Sequence, residues 1–419
     1  MLINKIIVII SLVFLFASWR IDGFVAGSNE PVKKENKTAT NNRLSNYKKF
    51  HADEVVNIRI FSQVKIQSFT ISAEKGAYSV WGNGMEIANT STMALIKFSL
   101  VNDSVEVKTF ENVIGKFKKV KISSAETERT FRMKLLLPDR KPRFYEGNLI
   151  VTAELGELKC INDISLDNYI AGVVQAESGR RSPQEFYKVQ AILARTFALA
   201  NLQKHSAETF NLCDHTHCQV YFGKTTELEI MKAVNDTKGK VVVDDNLSLI
   251  NATFHSNSGG QTANSEDVWG SKVSYLRSVN DTFSIKMPNA KWERKMSKED
   301  WLSYLKLKHN FPIQDSNARW AALTFKQETR KAYLESNNIK VPLKNVRTDL
   351  QLKSTFFSIY PQGDSLLFKG RGFGHGVGMC QEGAMKMAKL GYKYPEVINF
   401  YYQKTQLIDL HKLNFFKDE

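Results

Sequence analysis

The sequence predicts an α+β fold in which a mixed helix and sheet core with a substrate groove follows a β-rich N-terminal region. Segments with alternating apolar residues fill positions 55–160, and two amphipathic helical patterns follow between positions 165 and 204. A glycine-rich segment at 370–378 lies after a further set of short strand patterns. A chain of 419 residues, 42% of them hydrophobic, is long enough for two domains with a substantial core.

The composition gives the chain a net charge of +15, from 58 basic and 43 acidic residues. This charge favours polyanionic surroundings, such as nucleic acid, anionic lipid headgroups or an acidic cell-wall polymer. The sequence contains no zinc-finger array, no RNP aromatic pattern and no recognition-helix pattern. We therefore expect no nucleic-acid partner.

Residues 1–27 predict a secretory signal peptide. Lys5 precedes an apolar run at 6–17, about 12 residues, which is shorter than a membrane-spanning helix. Cleavage is expected between Ala17 and Gly27, and an uncleaved N-terminal anchor is the alternative. No cysteine follows the run, which argues against a lipoprotein anchor. We expect an exported protein of the periplasm, cell envelope or extracellular space, with no transmembrane helix beyond this segment.

The N-terminal half begins with a linker and continues with strands. Residues 28–53 are polar, rich in lysine and asparagine, and have no apolar period, which predicts a linker. Residues 54–150 predict a β-rich region with a structural or partner-binding role, because they carry no catalytic constellation. The predicted strands are VNIRIF, VKIQSFTIS, ALIKFSLV, SVEVKTF, FKKVKISS, FRMKLLL and NLIVTA.

The first predicted helix ends in a carboxylate. Ser165 is its expected N-cap, and Glu177 continues the apolar stripe three residues past Val174. An acid on the buried side of a helix is partly desolvated, which raises its pKa and suits it to donating a proton. The alternative is that Glu177 ends the helix in water. The stripe consists of Leu166, Tyr169, Ile170, Val173 and Val174.

The second predicted helix runs to about Lys204 and is a central core helix. Ser182, Pro183 and Glu185 have the spacing of a capping box, with proline at the first helical position. Arg195 lies within this helix, and we expect it to be solvated.

A group of thiols and imidazoles follows the second helix. Cys213, His215, His217 and Cys218 lie within six residues and have the ligand chemistry of a tetrahedral zinc site. Cys213, His217 and Cys218 are the expected ligands, with His205 as the fourth and His215 as its alternative. A disulfide between the two cysteines, or free thiols, is the competing interpretation in an exported protein.

Two further segments carry polar residues at turns. A predicted strand ends at His255, and the small residues 256–260 after it predict a ligand-lining loop, near which Trp269 is positioned to stack on a sugar ring. A structural role for Trp269 is the alternative. His255 and Ser256 point to opposite faces of a strand, which argues against a serine–histidine triad. Five glycines at 370–378 surround His375, and their spacing differs from that of a phosphate loop.

These pieces, in this order, resemble the sporulation stage II protein D and amidase-enhancer (SpoIID/LytB) family of cell-wall proteins. The resemblance covers roughly 145–280 and 345–410, and we assign 151–412 to a SpoIID/LytB-like domain in which about 281–345 is divergent. The similar segments are LDNYIAGVVQAESG, KVQAILARTFAL, CDHTHCQVYFG, FHSNSGGQTANSEDVWG, RGFGHGVGMCQEGAMKMA and YPEVINFYY.

The resemblance implies a lytic transglycosylase that cuts peptidoglycan glycan strands, or a non-catalytic glycan-binding protein that enhances a cell-wall amidase. Glu177 falls on the family's catalytic glutamate, and the Cys/His group matches a zinc-binding variant found in some members, in which the zinc would be structural. Cys380 stands where the family usually has serine. A zinc amidase is a third, weaker reading, because four protein ligands leave no open metal position. The expected substrate-binding residues are Gln219, Tyr221, His255, Ser256, Ser258, Trp269, His375 and Gln381.

Overall fold

A computed structural model describes residues 55–90, 95–336 and 338–410 of the chain. The predicted signal peptide and linker lie outside these residues. Both helices and sheets are present, which confirms the predicted α+β class. Within the described part of the chain, no helix combines the length and the apolar character that crossing a membrane requires.

The N-terminal region is built on two mainly antiparallel sheets that share one hydrophobic core. One sheet has the strand order β13-β1-β12-β11-β8-β3-β4, and the other has the order β10-β9-β2-β5-β6-β7. The strands are β1 (Val55–Ile60), β2 (Ser68–Lys75), β3 (Ser79–Gly82), β4 (Met85–Asn89), β5 (Ile96–Val101), β6 (Ser104–Lys108), β7 (Val113–Phe117), β8 (Lys119–Ser123), β9 (Thr130–Leu137), β10 (Arg143–Tyr145), β11 (Asn148–Glu154), β12 (Glu157–Ser165) and β13 (Leu212–Cys213).

The alternation in the sequence explains why these segments are strands. In β1, residues Val56, Ile58 and Ile60 are buried while their neighbours are partly or fully exposed, as expected for a strand with one face on a core. Phe69 and Phe98 stack across the β2–β5 pair with their ring centroids 4.9 Å apart. The sheets continue past residue 150 through β12, so strands of this region lead directly into the first helix.

The first helix, α1 (Leu166–Ser178), has the predicted start. The Ser165 side chain accepts a hydrogen bond from the Asn168 N–H at 3.4 Å, which is the N-cap geometry. The predicted apolar stripe is buried against the sandwich core, and this confirms the helical period in the sequence.

The second helix, α2 (Gln184–Ala200), differs from the prediction at both ends. Pro183 is itself the N-cap, and no side chain caps the helix, so the predicted capping box is wrong. The Ser182 hydroxyl instead donates to the Ser178 carbonyl at 3.1 Å, within the turn between the helices. The helix ends at Ala200 rather than near Lys204.

Arg195 is 1% exposed, so the expectation of a solvated arginine is wrong. Its guanidinium donates to Asp167 Oδ1 at 3.0 Å and to the carbonyl oxygen of Thr237 at 2.8 Å. A buried charge is tolerated when it is paired and hydrogen-bonded. Arg195 therefore joins α2 to α1 and to the segment that precedes β14.

The remaining core elements pack on the other side of α2, where Phe186, Val189 and Leu193 join a second hydrophobic cluster. The parallel pair β15–β21 and the antiparallel pair β14–β22 connect this part of the chain with its C-terminal segment. The elements are α3 (Leu228–Asp236), β14 (Lys240–Asp244), β15 (Phe254–His255), α4 (Ser265–Trp269), β21 (Met379–Cys380), α8 (Gln381–Lys389), α9 (Tyr394–Tyr401) and β22 (Thr405–Asp409).

Residues 291–371, called here the inserted subdomain, contain a hydrophobic cluster of their own around Trp301 and Phe357. The Ser297 side chain caps α5 by accepting from the Asp300 N–H at 2.9 Å. The segment 349–354, DLQLKS, has the apolar alternation of a strand but ends a helix and turns. The elements are β16 (Lys291–Ser297), α5 (Lys298–His309), α6 (Ser316–Leu323), β17 (Tyr333–Ser336), β18 (Ile339–Pro342), α7 (Leu343–Asp349), β19 (Phe357–Gln362) and β20 (Ser365–Arg371).

Candidate functional site

Glu177 lies in the last turn of α1 and is partly buried. The backbone N–H of Val220 donates to its Oε1 at 3.2 Å. Burial raises the pKa of the Glu177 carboxyl above 4.5, although the hydrogen bond from Val220 acts in the opposite direction. A raised pKa keeps a carboxylic acid protonated closer to neutral pH, so Glu177 is a candidate proton donor.

Burial alone accounts for this rise in the Glu177 pKa. Among the described residues, no second carboxylate contributes to it. Two catalytic carboxylates that flank one bond lie about 5–9.5 Å apart and influence each other's protonation. The raised pKa of Glu177 is thus a consequence of its own burial and not of a neighbouring negative charge.

The C-terminal part of the chain contacts Glu177 through Gln381, the first residue of α8. The Gln381 side chain donates from Nε2 to the backbone carbonyl oxygen of Glu177 at 3.2 Å. The end of α1 leaves backbone carbonyls without helical partners, and this amide satisfies one of them. Glu177 and the glycine-rich block are thus brought together.

Four of the predicted metal-ligating side chains converge on one point beside this site. The ligand atoms of His205, Cys213, His217 and Cys218 all lie within 4.8 Å of one another. His205 Nε2 is 3.4 Å from the Cys218 sulfur, and His217 Nδ1 is 3.8 Å from each of the two sulfurs. Two sulfur and two imidazole donors in this arrangement could hold a metal ion.

The structure distinguishes between the two candidates for the fourth ligand. His205 lies in the group, whereas His215 points its Nδ1 at the neighbouring Thr216 hydroxyl, 3.0 Å away. Cys213 and Cys218 are free thiols. The hydrogen bond between the two thiols lowers the pKa of Cys213 and raises that of Cys218, so one of the two sulfurs is the more readily deprotonated.

Further contacts hold the His205 ring in place. Its Nδ1 lies 2.6 Å from Glu208 Oε1, and the ring stacks on Phe210 with centroids 4.5 Å apart. A carboxylate on the far nitrogen fixes the tautomer and leaves Nε2 free to bind a metal, as in many metal sites. Glu208 was not predicted, although it lies only three residues from His205.

The N-terminal sandwich anchors the loop that carries the two cysteines. Strand β13 pairs in parallel with β1, and Cys213 lies in register with Arg59. The buried Asp214 carboxylate accepts hydrogen bonds from the backbone N–H groups of Phe61, at 2.7 Å, and Ser62, at 2.9 Å. Arg143 donates to the same carboxylate at 3.1 Å. Sequence reasoning missed Asp214 because its partners lie 71 to 153 residues away.

The residues after Cys218 connect this group to Glu177. Gln219 is buried, accepts from the Tyr169 hydroxyl at 3.4 Å, and has an Nε2 without a hydrogen-bond partner among the described residues. Val220 supplies the N–H that binds Glu177. Tyr221 is fully buried and donates to Asn162, so it has no exposed surface for a ligand.

His255 and His375 face each other across the β15–β21 pair, with ring centroids 5.5 Å apart. His375 Nδ1 accepts from the Val377 N–H at 3.1 Å, and its Nε2 donates to the Phe254 carbonyl at 2.9 Å. His255 Nδ1 donates to the Val377 carbonyl at 3.1 Å, while its buried Nε2 has no partner in the described part of the chain. Both rings are therefore neutral tautomers fixed by the backbone.

Burial shifts the pKa values of the two histidines in the same direction. It lowers the pKa of His255 well below 6.5 and the pKa of His375 to about 4, with positive charges, including Arg330, adding to both shifts. Neither ring gains a charge near neutral pH. The pair can donate and accept hydrogen bonds but is unsuited to general acid catalysis at that pH.

The other predicted binding residues divide into exposed and buried groups. Trp269 is 45% exposed and contacts the His375 ring at 5.3 Å between centroids. Ser256 is partly exposed, and its carbonyl accepts from the Glu382 N–H. Ser258 is fully buried and donates to Asp281 at 2.7 Å, so it stabilises the interior and offers no surface to a ligand.

Cys380 is the N-cap of α8, with its sulfur 3.3 Å from the Gly383 N–H and 3.2 Å from the Ser258 N–H. Serine and cysteine both place an acceptor atom at this position, which explains why a cysteine is accommodated there. Cys380 is also the register partner of His255 and precedes Gln381. The histidine pair and Glu177 therefore lie on adjoining parts of one structure.

The fold and the site together define a protein in which a partly buried acid, Glu177, is linked through Val220 to a Cys/His group that could hold a metal and through Gln381 to the segment of a neutral histidine pair. The family model for stage II sporulation protein (SpoIID) matches residues 154–243, which include Glu177 and the Cys/His group. The stage II sporulation protein D of Bacillus subtilis is 32% identical over 265 residues, covering 59% of this chain and 75% of the relative. The chain belongs to the SpoIID family.

Two other relatives extend the comparison. The stage II sporulation protein D of Bacillus amyloliquefaciens is 31% identical over 263 residues, covering 59% of this chain and 75% of the relative. The amidase enhancer of Bacillus subtilis is 28% identical over 291 residues, covering 57% of this chain and 40% of that longer protein. The resemblance found in the sequence motifs is thereby confirmed.

Proposed function

We propose that this protein is an exported lytic transglycosylase that remodels peptidoglycan by cleaving the bond between MurNAc and GlcNAc. Membership of the SpoIID family supports a role in the cell wall. The observation that carries the reaction type is the partly buried Glu177 carboxyl at the end of α1, whose pKa is raised by burial and not by the charge of another carboxylate. The basic net charge of +15 fits work in an anionic wall.

A single acid is sufficient for this reaction because the substrate supplies its own nucleophile. Glu177 donates its proton to the glycosidic oxygen, and the bond between that oxygen and C1 of MurNAc breaks. The 6-hydroxyl of the same MurNAc attacks C1, and its proton returns to the Glu177 carboxylate. The products are a 1,6-anhydro-MurNAc end and a free 4-hydroxyl on GlcNAc. Tethering the nucleophile supplies much of what a second residue would contribute.

The histidine pair would orient the sugar rather than transfer protons. Trp269 offers an exposed ring beside His375, whereas His255 is buried and would position the His375 ring rather than contact the sugar. Gln219 is buried as well and would support the segment that carries the Val220 N–H. We assign Ser256 and Gln381 to the same groove. Neutral hydrogen-bonding groups fit a substrate whose hydroxyls are neutral.

The metal in the Cys/His group would be zinc with a structural role. Zinc bonds of about 2.3 Å to sulfur and 2.0–2.1 Å to nitrogen, at the tetrahedral angle, separate the two donor atoms by about 3.5 Å. The sulfur–nitrogen distances of 3.4 and 3.8 Å in this group are close to that separation. When bound, zinc would fix the loop of residues 213–218 and with it the Val220 N–H. Four protein ligands leave no position for a reactive water.

Mass spectrometry of peptide-stripped glycan strands, digested by wild type and by Glu177→Gln, tests the proposal. Wild type should release anhydro-MurNAc products, and the variant should lose at least about 100-fold in rate, because it cannot donate a proton. The variant should melt at the same temperature as wild type or higher at neutral pH, since a neutral amide removes the cost of a buried charge. Equal products from both proteins would remove Glu177 from the mechanism.

The alternative is a glycan-binding enhancer of an N-acetylmuramoyl-L-alanine amidase, and it is supported by the amidase enhancer among the relatives. In that case folded wild type binds glycan but releases no anhydro products. Stimulation of a purified amidase would then be equal for wild type and Glu177→Gln, because no proton transfer by Glu177 is involved.

A further inference from the structure

The inserted subdomain carries a large share of the positive charge of the protein. Residues 291–371 contain 16 basic and 8 acidic residues, a net charge of +8 out of +15 for the whole chain. This subdomain contains a hydrophobic cluster of its own, distinct from the clusters that surround Glu177 and the histidine pair. A basic unit of this kind attracts polyanions independently of the groove at Glu177.

A groove of about 640 Å³ lies between α6 and the β17–β18 hairpin of this subdomain. Its volume falls within the range of about 300–1,000 Å³ that is typical of ligand sites. Two exposed aromatic residues line it, Trp320 on α6, 69% exposed, and Tyr333 on β17, 39% exposed. Large aromatic side chains left in water at one concave place mark a binding surface.

The charged residues of the groove leave a positive surplus. Lys326 and Lys331 line it, and among the described residues neither ammonium has a carboxylate within 4 Å. The groove's acid, Glu335, pairs with Lys340 at 3.3 Å. Lys331 is thus available for an anionic group of a ligand, whereas the Lys326 ammonium donates to the Ile359 carbonyl at 2.9 Å and lies over the Tyr360 ring.

We propose that this groove is a second glycan-binding site, which takes a carboxylate-bearing peptidoglycan strand. Trp320 and Tyr333 present ring faces for pyranose rings, and Lys331 binds the lactyl carboxylate that each stripped MurNAc carries. This inference rests on the proposed function, because it assigns the same polymer to a second place on the molecule. The site would hold the strand while Glu177 acts elsewhere along it.

The chemistry of the groove favours this ligand over an apolar protein partner. An apolar docking face would bury the Lys331 ammonium without an anionic partner, which is costly. A strand with a carboxylate on every second sugar supplies both an apolar ring face and a negative charge at a regular spacing. The exposed aromatic rings and the positive charge of the groove match these two features.

Co-sedimentation of the full chain with insoluble peptide-stripped sacculi tests the site. Trp320→Ala, Tyr333→Ala and Lys331→Glu should each weaken binding by about tenfold, as expected when an exposed anchor is removed. Leu307→Ala, exposed on α5 of the same subdomain, is the control for the aromatic changes, and Lys308→Glu is the control for the charge change. Both controls should bind like wild type.

Two ligand comparisons check the chemical class. Chitin, which has the same backbone without lactyl carboxylates, should bind more weakly than sacculi and show no effect of Lys331→Glu. Polyglycerol phosphate should compete poorly because it has no sugar rings. Equal binding by groove variants and controls overturns the proposal, and so does a polyglycerol phosphate that competes as well as glycan.

The outcome stays separate from that of the proposed function. Binding is measured in both wild type and Glu177→Gln, whereas cleavage is measured on short soluble strands. Loss of binding in the groove variants without anhydro products from any protein would keep the groove and refute the transglycosylase. Anhydro products from wild type, together with unchanged binding in the groove variants, would support the transglycosylase and refute the groove.

Discussion

The Cys/His group and the His255–His375 pair place their imidazoles at similar separations but give them different chemistry. The His205 and His217 ring centroids are 5.2 Å apart, and those of His255 and His375 are 5.5 Å apart. In the first group, ring nitrogens face two sulfurs. In the second, they face backbone carbonyls and an N–H. The neighbours of each ring, rather than the spacing of the rings, decide between metal binding and neutral hydrogen bonding.

The cysteines repeat this contrast. The Cys213 sulfur faces the His217 ring and the Cys218 sulfur faces the His205 ring. The Cys380 sulfur instead accepts hydrogen bonds from two backbone N–H groups. The thiol is a candidate metal ligand in one place and a helix cap in the other. Substituting serine at each place therefore separates the two roles.

The largest effect is expected for Cys218→Ser. Serine is a poor zinc ligand, so the variant should lose bound metal, unfold more readily by roughly 2 kcal/mol or more, and lose glycan cleavage as the loop that holds Val220 loosens. Metal analysis, thermal melting and product analysis measure the three changes. Loss of cleavage with unchanged melting would show that the metal has a role other than structural.

An intermediate effect concerns pH. Glu177 must be protonated to act as the acid, so the cleavage rate should fall as pH rises through its pKa, which lies above 4.5, by about tenfold per pH unit. His255 and His375 should show no titration between about pH 5 and 8, because burial lowers their pKa values. NMR of their ring protons measures this directly. If the pH dependence of the cleavage rate followed a histidine titration and shifted in His375→Asn, the histidine pair would not be neutral.

The smallest effect is expected for Cys380→Ser. Serine caps helices well, so stability should change by less than about 1 kcal/mol, with cleavage and metal content unchanged. Chemical denaturation of Cys380→Ser beside Cys218→Ser measures the difference. A loss of metal from Cys380→Ser would mean that the two places share one ligand system.

Local patterns in the sequence were sufficient to predict the helix that carries Glu177 and the segment that carries the Cys/His group. The spacing of Val174 and Glu177 predicted the partly buried acid, because helix period is a property of neighbouring residues. The cluster from Cys213 to Cys218 predicted the metal group for the same reason. His205 was placed correctly because it lies only eight residues upstream.

Contacts between distant segments could not be predicted from the sequence. The burial of Arg195 depends on Asp167 and Thr237, and the role of Asp214 depends on backbone groups of another strand. Tyr221 and Ser258 have side chains that bind sugars on a surface, but residue type does not reveal that the fold buries both of them. These outcomes follow from the packing of elements that no local period describes.

The contact between Gln381 and Glu177 spans 204 positions of the chain. During synthesis from the N-terminus, α1 emerges long before α8 exists, so any chain that stops short of residue 381 lacks the amide that binds the end of α1. Strand β14 likewise cannot pair until β22 has been synthesised. Because such long-range closures form late and slowly, the complete site belongs to the finished molecule and to none of its growing fragments.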